Sequence, residues 1–228
     1  MYFDTESQGL FVRGLGRFLR VFFKLLYNEF AWAYNTVAAT VSAGRWENWA
    51  TSLLPYLDKD DFILELGHGT GHLVHATQGQ GLHLVALDAS RNMGRITYRR
   101  VTKKGFCPLL VNGYAQYLPF LPDQFTKIVA TFPSEYICAT QTILEIKRTL
   151  SPAGELLVIP AAYITGTNLL DRTLARIFRL TRQSPHPNHE GSLRGFSDPL
   201  EQAGFHIMVE EISVQNSTVL LLKATHPG

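Results

Sequence analysis

The chain has 228 residues and a formal net charge of +2, a length that suits one large α/β domain. Hydrophobic residues make up 46% of it, enough to cover both faces of a parallel sheet. Cys107 and Cys138 form no C-x-x-C pair, which excludes a zinc framework and suits a reducing, cytoplasmic compartment. Several histidines lie close together in the sequence, but they lack a fixed set of ligands, so we predict no bound metal.

The amino-terminal segment is amphipathic. Arg13, Arg17, Arg20 and Lys24 interrupt an apolar run over residues 9–30 and fall on one helical face. Without about 18 uncharged apolar residues in a row, and with no small-residue cleavage site, we expect neither a membrane span nor a secretory signal. Residues 1–44 therefore predict helices that lie in an anionic bilayer interface, on the inner face of a membrane, or pack on the domain formed by residues 45–228.

A glycine-rich turn follows the first predicted strand. Residues 62–66 are apolar apart from Glu65, and Gly67, Gly69 and Gly71 come directly after them. Glycines allow a backbone to turn sharply and to approach a ligand closely. A strand, such a turn and a helix start form a nucleotide-binding arrangement in an open α/β sheet, although a junction without a ligand would show the same order.

The spacing of these glycines narrows the choice of ligand. A dinucleotide fingerprint would need glycine where His72 stands. Glu65 would repel a pyrophosphate but would attract an ammonium or sulfonium group. Residues 65–71 resemble the first motif of the class I S-adenosylmethionine-dependent methyltransferases. The resemblance implies that Glu65, Gly67, Gly69 and Gly71 bind S-adenosyl-L-methionine.

The second strand, residues 82–87, also ends in an acid. Asp88 lies about 20 residues past the glycine turn, where an acid accepts hydrogen bonds from ribose hydroxyls. The resemblance implies the same role for Asp88, and it places Ala89 and Met93 against the cofactor, with Met93 on the adenine. Asp88 could also cap the helix that begins at Ser90, and Met93 could be core filler.

The third segment, residues 111–120, resembles the adenine-pocket motif Gly-Asp-Ala-x-x-Leu-Pro-Phe of the same family. Gly113, Tyr114 and Ala115 match its beginning, with Tyr114 in the place of the usual aspartate. The resemblance implies that these three residues line the adenine pocket. The Ala115 N–H can still reach the ring, whereas Tyr114 would have to stack or bond through its hydroxyl.

The fourth segment, residues 125–136, is a strand that runs into a loop. The resemblance implies that Thr131 and Phe132 lie near the methionine part of the cofactor. Glu135 is our candidate general base for a methyl acceptor that must lose a proton, with Tyr136 beside it. A glutamate in such a loop could equally be a surface residue or a helix cap.

Two further segments bear on access to the site. Tyr27 and Tyr34 lie where related enzymes close a lid over the cofactor, and we predict that Tyr34 contacts the cofactor. Residues 167–183 carry four arginines, from Arg172 to Arg182, on a second amphipathic pattern. The family inserts substrate-cap elements there, and we expect a cap helix around residues 166–183.

The whole pattern predicts a Rossmann-like α/β fold, with a seven-stranded, mostly parallel sheet, an antiparallel closing strand and helices on both faces. We expect helices over residues 141–150 and from 197, and strands over residues 155–159, 206–213 and 218–223. The order of elements resembles the methyltransferases of ubiquinone, menaquinone and phospholipid synthesis. This implies methyl transfer to an apolar or lipid-like acceptor. A soluble methyltransferase of small metabolites and a non-catalytic binding module remain the alternatives, and we expect no nucleic-acid partner.

Overall fold

A computed structural model of the protein describes residues 45–165 and 189–226, and it describes the side chains of that second range from residue 193 onward. The predicted amino-terminal helices, with Tyr27 and Tyr34, and the predicted cap helix lie outside the described residues. None of the helices in the described ranges is long and apolar enough to cross a membrane.

Helices and strands alternate along most of the described chain. The helices are α1 (Trp46–Ala50), α2 (His72–Gln80), α3 (Arg91–Thr102), α4 (Thr140–Thr149) and α5 (His189–Gln202). The strands are β1 (Phe62–Leu66), β2 (His83–Asp88), β3 (Leu109–Asn112), β4 (Phe125–Thr131), β5 (Leu150–Ile164), β6 (His206–Val214) and β7 (Ser217–Thr225). Two 3₁₀ helices cover Thr51–Tyr56 and Glu135–Cys138.

The seven strands form one sheet in the order β3-β2-β1-β4-β5-β7-β6. β1 pairs in parallel with β2 on one side and with β4 on the other, so their carboxyl ends meet at one edge of the sheet. From β1 the chain first adds β2 and β3 on one side, and it then crosses to add β4 on the other side. Open α/β sheets bind ligands at such a switch point. β7 pairs antiparallel with both β5 and β6, which confirms the predicted fold class.

Each face of the sheet has its own apolar core. Leu64 and Leu66 of β1 pack into one cluster around Phe125 and Ile128. Ile63 packs into the other, which contains Trp49 and Leu53. Because successive residues of a strand point to opposite faces, Glu65 shares the face of Ile63, which is the α1 side of the sheet.

Three predicted boundaries were wrong. β5 begins at Leu150 rather than at residue 155, because Leu150 pairs with Phe125 of β4. β5 continues past Pro160 to Ile164, because the register with β7 shifts between Val158 and Ala161 and this irregularity accommodates a residue without an N–H. α5 begins at His189, before the predicted start at residue 197, and it contains Pro199. Pro199 has no N–H, so the helix lacks the hydrogen bond that would join this position to the Gly195 carbonyl, four residues earlier.

Candidate active site

The glycine turn joins β1 to α2 in a left-handed backbone. Gly67, Gly69 and Gly71 have φ values of 76°, 53° and 76°, which side-chain-bearing residues rarely adopt. The Gly67 N–H donates to the Leu87 carbonyl at 2.7 Å, so the turn is fixed to the end of β2. A Cβ on Gly67 would lie 2.5 Å from the Tyr136 hydroxyl oxygen. The turn therefore needs glycine at position 67 both for its conformation and for space.

Glu65 lies in the core directly before this turn. Its side chain is 1% exposed, and its Oε2 atom has no hydrogen-bond partner within the described part of the chain. Burial, together with the nearby charge of Asp88, raises the pKa of Glu65 to about 8. A buried carboxyl group with an unsatisfied oxygen is costly unless something else satisfies it. A positively charged ligand group would do so.

Asp88 connects the glycine turn to α3. One carboxylate oxygen accepts from the Gly69 N–H at 2.9 Å, and the other accepts from the Ser90 N–H at 2.7 Å. The N-cap of α3 is Ser90 itself, whose hydroxyl accepts from the Met93 N–H, so Asp88 is not the cap. The ribose contact of Asp88 stays a prediction.

His68 and Thr97 contact each other and the glycine turn, and neither residue was predicted to belong to the site. The Thr97 hydroxyl donates to the Gly69 carbonyl at 2.9 Å and lies 3.2 Å from the His68 Nδ1 atom. Burial lowers the pKa of His68, which favours a neutral ring. A Cβ on Gly71 would clash with Thr97. The only sign of these contacts in the sequence was His68, a histidine between two of the glycines.

The predicted adenine pocket is assembled in part. The Gly113 N–H donates to the Asp88 carbonyl at 3.1 Å, and the Asn112 amide donates to the Asp88 and Ala89 carbonyls. The segment after β3 thus lies beside the loop after β2. Tyr114 is 64% exposed, whereas Ala115 belongs to the core. Their contacts with a cofactor, and that of Ala89, stay predictions.

Met93 lies in the first turn of α3 and is 0% exposed. In this structure it is a core side chain, as the alternative interpretation has it. Contact with an adenine ring would require its surface to become accessible, and that contact stays a prediction.

A cleft opens at the carboxyl ends of β2 and β3. Its volume is about 440 Å³. His68, Asp88, Ser90 and Asn112 line it at the site, and the exposed side of α3 forms a further wall. The cleft therefore adjoins the predicted nucleoside position, whereas Glu65 and the turn glycines lie outside its lining.

An aromatic cluster closes the carboxyl end of β4. Phe132 has a φ of 50°, a conformation that costs on the order of 1–3 kcal/mol and that usually persists only where surrounding structure holds it. Its ring lies 4.5 Å from that of Trp46 and 6.3 Å from that of Trp49, measured between centroids. Phe132 is thus held next to Thr131 at the sheet edge by residues of α1, a contact between distant parts of the chain that the sequence did not indicate.

The two predicted catalytic residues occupy different surroundings. The partly buried Tyr136 donates its hydroxyl to the Leu66 carbonyl at 2.9 Å, above Gly67. Burial and the charges of Asp88 and Glu65 raise its pKa, so the phenol stays protonated at neutral pH. Glu135 is exposed in the same 3₁₀ helix. The structure brings Tyr136 to the glycine turn and leaves Glu135 at the surface, and the base role of Glu135 stays a prediction.

These residues fit a cofactor that carries positive charge. The unsatisfied Oε2 of Glu65 is buried beside a turn whose left-handed glycines leave room for close approach. A Cβ placed on Gly69 would meet nothing within 4 Å, so the middle of the turn is open. No group of three or more possible metal ligands occurs among the residues that the structure describes.

Comparison with known proteins agrees with this geometry. Residues 63–154 match the protein family described as "Methyltransferase domain". Demethylmenaquinone methyltransferases of Symbiobacterium thermophilum and Clavibacter sepedonicus are 26% and 28% identical over 60% and 58% of this chain. The chain spans 58% and 55% of the length of these two relatives.

Solved structures share the fold at lower identity. A Methanococcus maripaludis protein assigned to the S-adenosyl-L-methionine-dependent methyltransferases superposes with a TM-score of 0.64. It is 16% identical, and the match covers 86% of this chain and 93% of that one. Residues 63–154 thus match the methyltransferase domain family, the chain is similar to demethylmenaquinone methyltransferases, and it shares its fold with a solved S-adenosyl-L-methionine-dependent methyltransferase.

Proposed function

We propose that this protein transfers a methyl group from S-adenosylmethionine to an apolar, lipid-like acceptor. One observation carries the choice of cofactor: the Glu65 Oε2 atom, buried and unsatisfied beside the glycine turn. When bound, this cofactor supplies an electrophilic methyl carbon on a sulfonium centre and also carries an ammonium group. Both charges suit a carboxylate, whereas the pyrophosphate of a dinucleotide would be repelled by Glu65 and Asp88.

The residues of the chain would bind and orient the cofactor. Asp88 fixes the turn, and its carboxylate is the candidate acceptor for ribose hydroxyls. Glu65, when ionised, attracts the positive charge of the cofactor. Tyr136 covers Gly67 and, as a protonated phenol, acts as a hydrogen-bond donor. Such groups mainly hold the reacting atoms in line, which is the principal contribution an enzyme makes to this displacement.

The apolar acceptor rests on the similarity to proteins named demethylmenaquinone methyltransferases. The partly buried Trp46 and Phe132 rings at the end of β4 are compatible with it, because an aromatic wall favours an apolar ring and excludes water. Glu135 is the candidate that would accept a proton from the methyl acceptor.

Calorimetric titration with S-adenosylhomocysteine tests the cofactor, with NAD as the control. We expect micromolar binding of the first ligand and none of the second. Preference for NAD would contradict the interpretation of the glycine turn, and binding of neither would favour a non-catalytic module.

Transfer of a radiolabelled methyl group tests the acceptor. Quinol acceptors with an apolar tail should become labelled in detergent, and water-soluble phenols and amines of similar reactivity should not. Labelling of the water-soluble set alone would establish the alternative of a soluble small-metabolite methyltransferase.

A further inference from the structure

The segment from α3 through β3 to the start of β4 has an unusual charge pattern. Residues 89–122 contain six Arg and Lys residues and no Asp or Glu, a net charge of +6 in a chain whose net charge is +2. The rest of the chain therefore carries −4. β3 is the edge strand of the sheet, and α3 leads directly into it, so residues 89–112 lie at one edge of the domain. Residues 113–122 run on to β4 and are held by α4. All six cations belong to residues 89–112, and we call the exposed side chains of these residues the β3-edge surface.

Five of the six cations are exposed on this surface: Arg91, Arg95, Arg99, Lys103 and Lys104. Arg91 and Arg95 donate to the amide oxygens of Asn112 and Asn92, which are neutral partners. Among the described residues, no carboxylate lies within ion-pair distance of any of the five. The sixth, Arg100, is directed inward to the His72 ring. The positive charge of the surface is thus not neutralised by the described part of the chain.

The same segment exposes large apolar side chains. Of the eight large hydrophobic residues that are exposed in the described ranges, five belong to it. They are Tyr98, Leu109, Tyr114, Tyr117 and Leu121, with exposed fractions between 55% and 75%. Tyr98 lines the cleft at the carboxyl ends of β2 and β3 together with Arg95 and Arg99. Of these five, Tyr98 and Leu109 belong to the β3-edge surface, so cations and apolar groups share this surface.

We propose that the β3-edge surface docks on an anionic lipid bilayer. Cations near an anionic leaflet and tyrosines at the boundary between headgroups and acyl chains both favour binding. Exposed leucines add burial in the acyl region, and they have no comparable role against a phosphate backbone. The choice of lipid rather than nucleic acid also rests on the proposed function, because a lipid-like methyl acceptor resides in a membrane.

Co-sedimentation of the full-length protein with vesicles tests this surface. We expect binding to vesicles of phosphatidylcholine with 30% phosphatidylglycerol, decreasing with added salt, and much weaker binding to phosphatidylcholine alone. Each cation near the leaflet contributes about fivefold to partitioning. Lys103→Gln/Lys104→Gln should therefore bind about 25-fold more weakly.

A matched control separates this surface from general charge effects. Lys59 is exposed before β1, a central strand separated from β3 by β2, and Lys59→Gln removes one cation, as Lys103→Gln does. Only Lys103→Gln should weaken binding. Equal effects of the two substitutions, or unchanged binding of the double variant, would overturn the proposal and would assign vesicle binding to residues 9–30 or to net charge.

The apolar part of the surface has its own test. Leu109→Ser should weaken vesicle binding about tenfold, since a buried leucine contributes roughly 1.5 kcal/mol or more. Binding of a single-stranded RNA that depends on Lys103 and Lys104 but not on Leu109, with no vesicle binding, would replace lipid by nucleic acid. S-adenosylhomocysteine titration on the same proteins keeps the two proposals separate: its failure contradicts the proposed function, whereas failure of vesicle binding alone contradicts only the docking surface.

Discussion

Glu65 and Asp88 are two carboxyl groups in one buried site, but the protein treats them differently. Asp88 accepts two backbone N–H bonds, whereas Glu65 has an oxygen without a partner among the described residues. The backbone of the glycine turn and of Ser90 thus supplies partners for Asp88. Glu65 depends on a ligand or on a proton, and this gives Glu65 a characteristic pH dependence.

Replacement of Glu65 by Gln should change how stability depends on pH. The pKa of Glu65 rises from its usual 4.5 to about 8 in the folded state, so its protonation stabilises the fold. That contribution is fully present below pH 4.5 and is lost as the pH rises through 8. Relative to wild type, Glu65→Gln should gain on the order of 3 kcal/mol between pH 5 and pH 9, measured by urea unfolding without ligand.

The control for this measurement is the exposed Glu211, which lies in β6. Glu211→Gln should follow the wild-type curve at both pH values. A constant difference between Glu65→Gln and wild type would show that Glu65 keeps the same protonation state throughout this range.

Gly67 and Gly79 offer a matched pair of glycine substitutions. Gly67 has a φ of 76°, and a Cβ there would meet the Tyr136 hydroxyl, whereas a Cβ on Gly79 in α2 would meet nothing within 4 Å. Gly67→Ala should cost about 1–3 kcal/mol and abolish S-adenosylhomocysteine binding. Gly79→Ala should stabilise the protein by roughly 0.5–1 kcal/mol and leave binding unchanged. Thermal unfolding and calorimetry measure both, and similar effects at the two positions would argue against a specific role of the turn.

Among the elements, α4 holds the segment between β3 and β4 in place. Arg148 donates to the Phe120 carbonyl at 2.8 Å and to the Leu118 carbonyl at 3.0 Å. Glu145 pairs with Arg148 and accepts from the Leu118 N–H at 2.8 Å. The planar fork of one guanidinium thus fixes two carbonyls and a carboxylate, and it holds the segment that continues from the predicted adenine pocket.

Arg148→Lys should break this arrangement although it keeps the charge. An ammonium cannot reproduce the fork, so at least one backbone carbonyl loses its partner, at a cost of about 1–2 kcal/mol. Hydrogen exchange should accelerate at residues 113–120 and remain unchanged in β7. Lys147→Arg, in the preceding position, is the control, because Lys147 donates to the Ala203 carbonyl elsewhere. Unchanged exchange in the Arg148→Lys variant would show that the segment is held by its apolar contacts alone.

The sequence predicted those structural features that depend on local patterns. The strand ends that carry Glu65 and Asp88 and the turn of the three glycines lie where they were predicted, because a strand end and a glycine turn are read from neighbouring residues. Contacts between distant residues left no local pattern: Thr97 beneath Gly69 and Trp46 on Phe132 are set by how helices pack on the sheet. The boundary of β5 was missed for the same reason, since its extension beyond Pro160 depends on pairing with β7.

For the molecule as a whole, ligand binding should raise the stability of the entire domain. The glycine turn bonds to β2 and packs on α3, and it is covered by Tyr136 from beyond β4, so a ligand there contacts parts of the fold that unfold together. At a concentration 100 times Kd, a ligand that binds only the folded state adds about 2.7 kcal/mol. For a chain of this size, that corresponds to a rise in Tm of roughly 5–11 °C.

S-adenosylhomocysteine should produce this shift at neutral pH, and NAD should produce none. Asp88→Ala should lower the ligand-induced rise in Tm by more degrees than it lowers the Tm of the ligand-free protein. The reason is that Asp88 is predicted to contact the ligand as well as the turn. Ionisation of Glu65 improves its attraction for a cation, so the shift should be larger at pH 8.5 than at pH 6.5 in wild type and equal at both in Glu65→Gln. A shift that grows toward low pH would mean that the ligand prefers a protonated Glu65, and the ammonium group of S-adenosylhomocysteine would then have to lie elsewhere in the site.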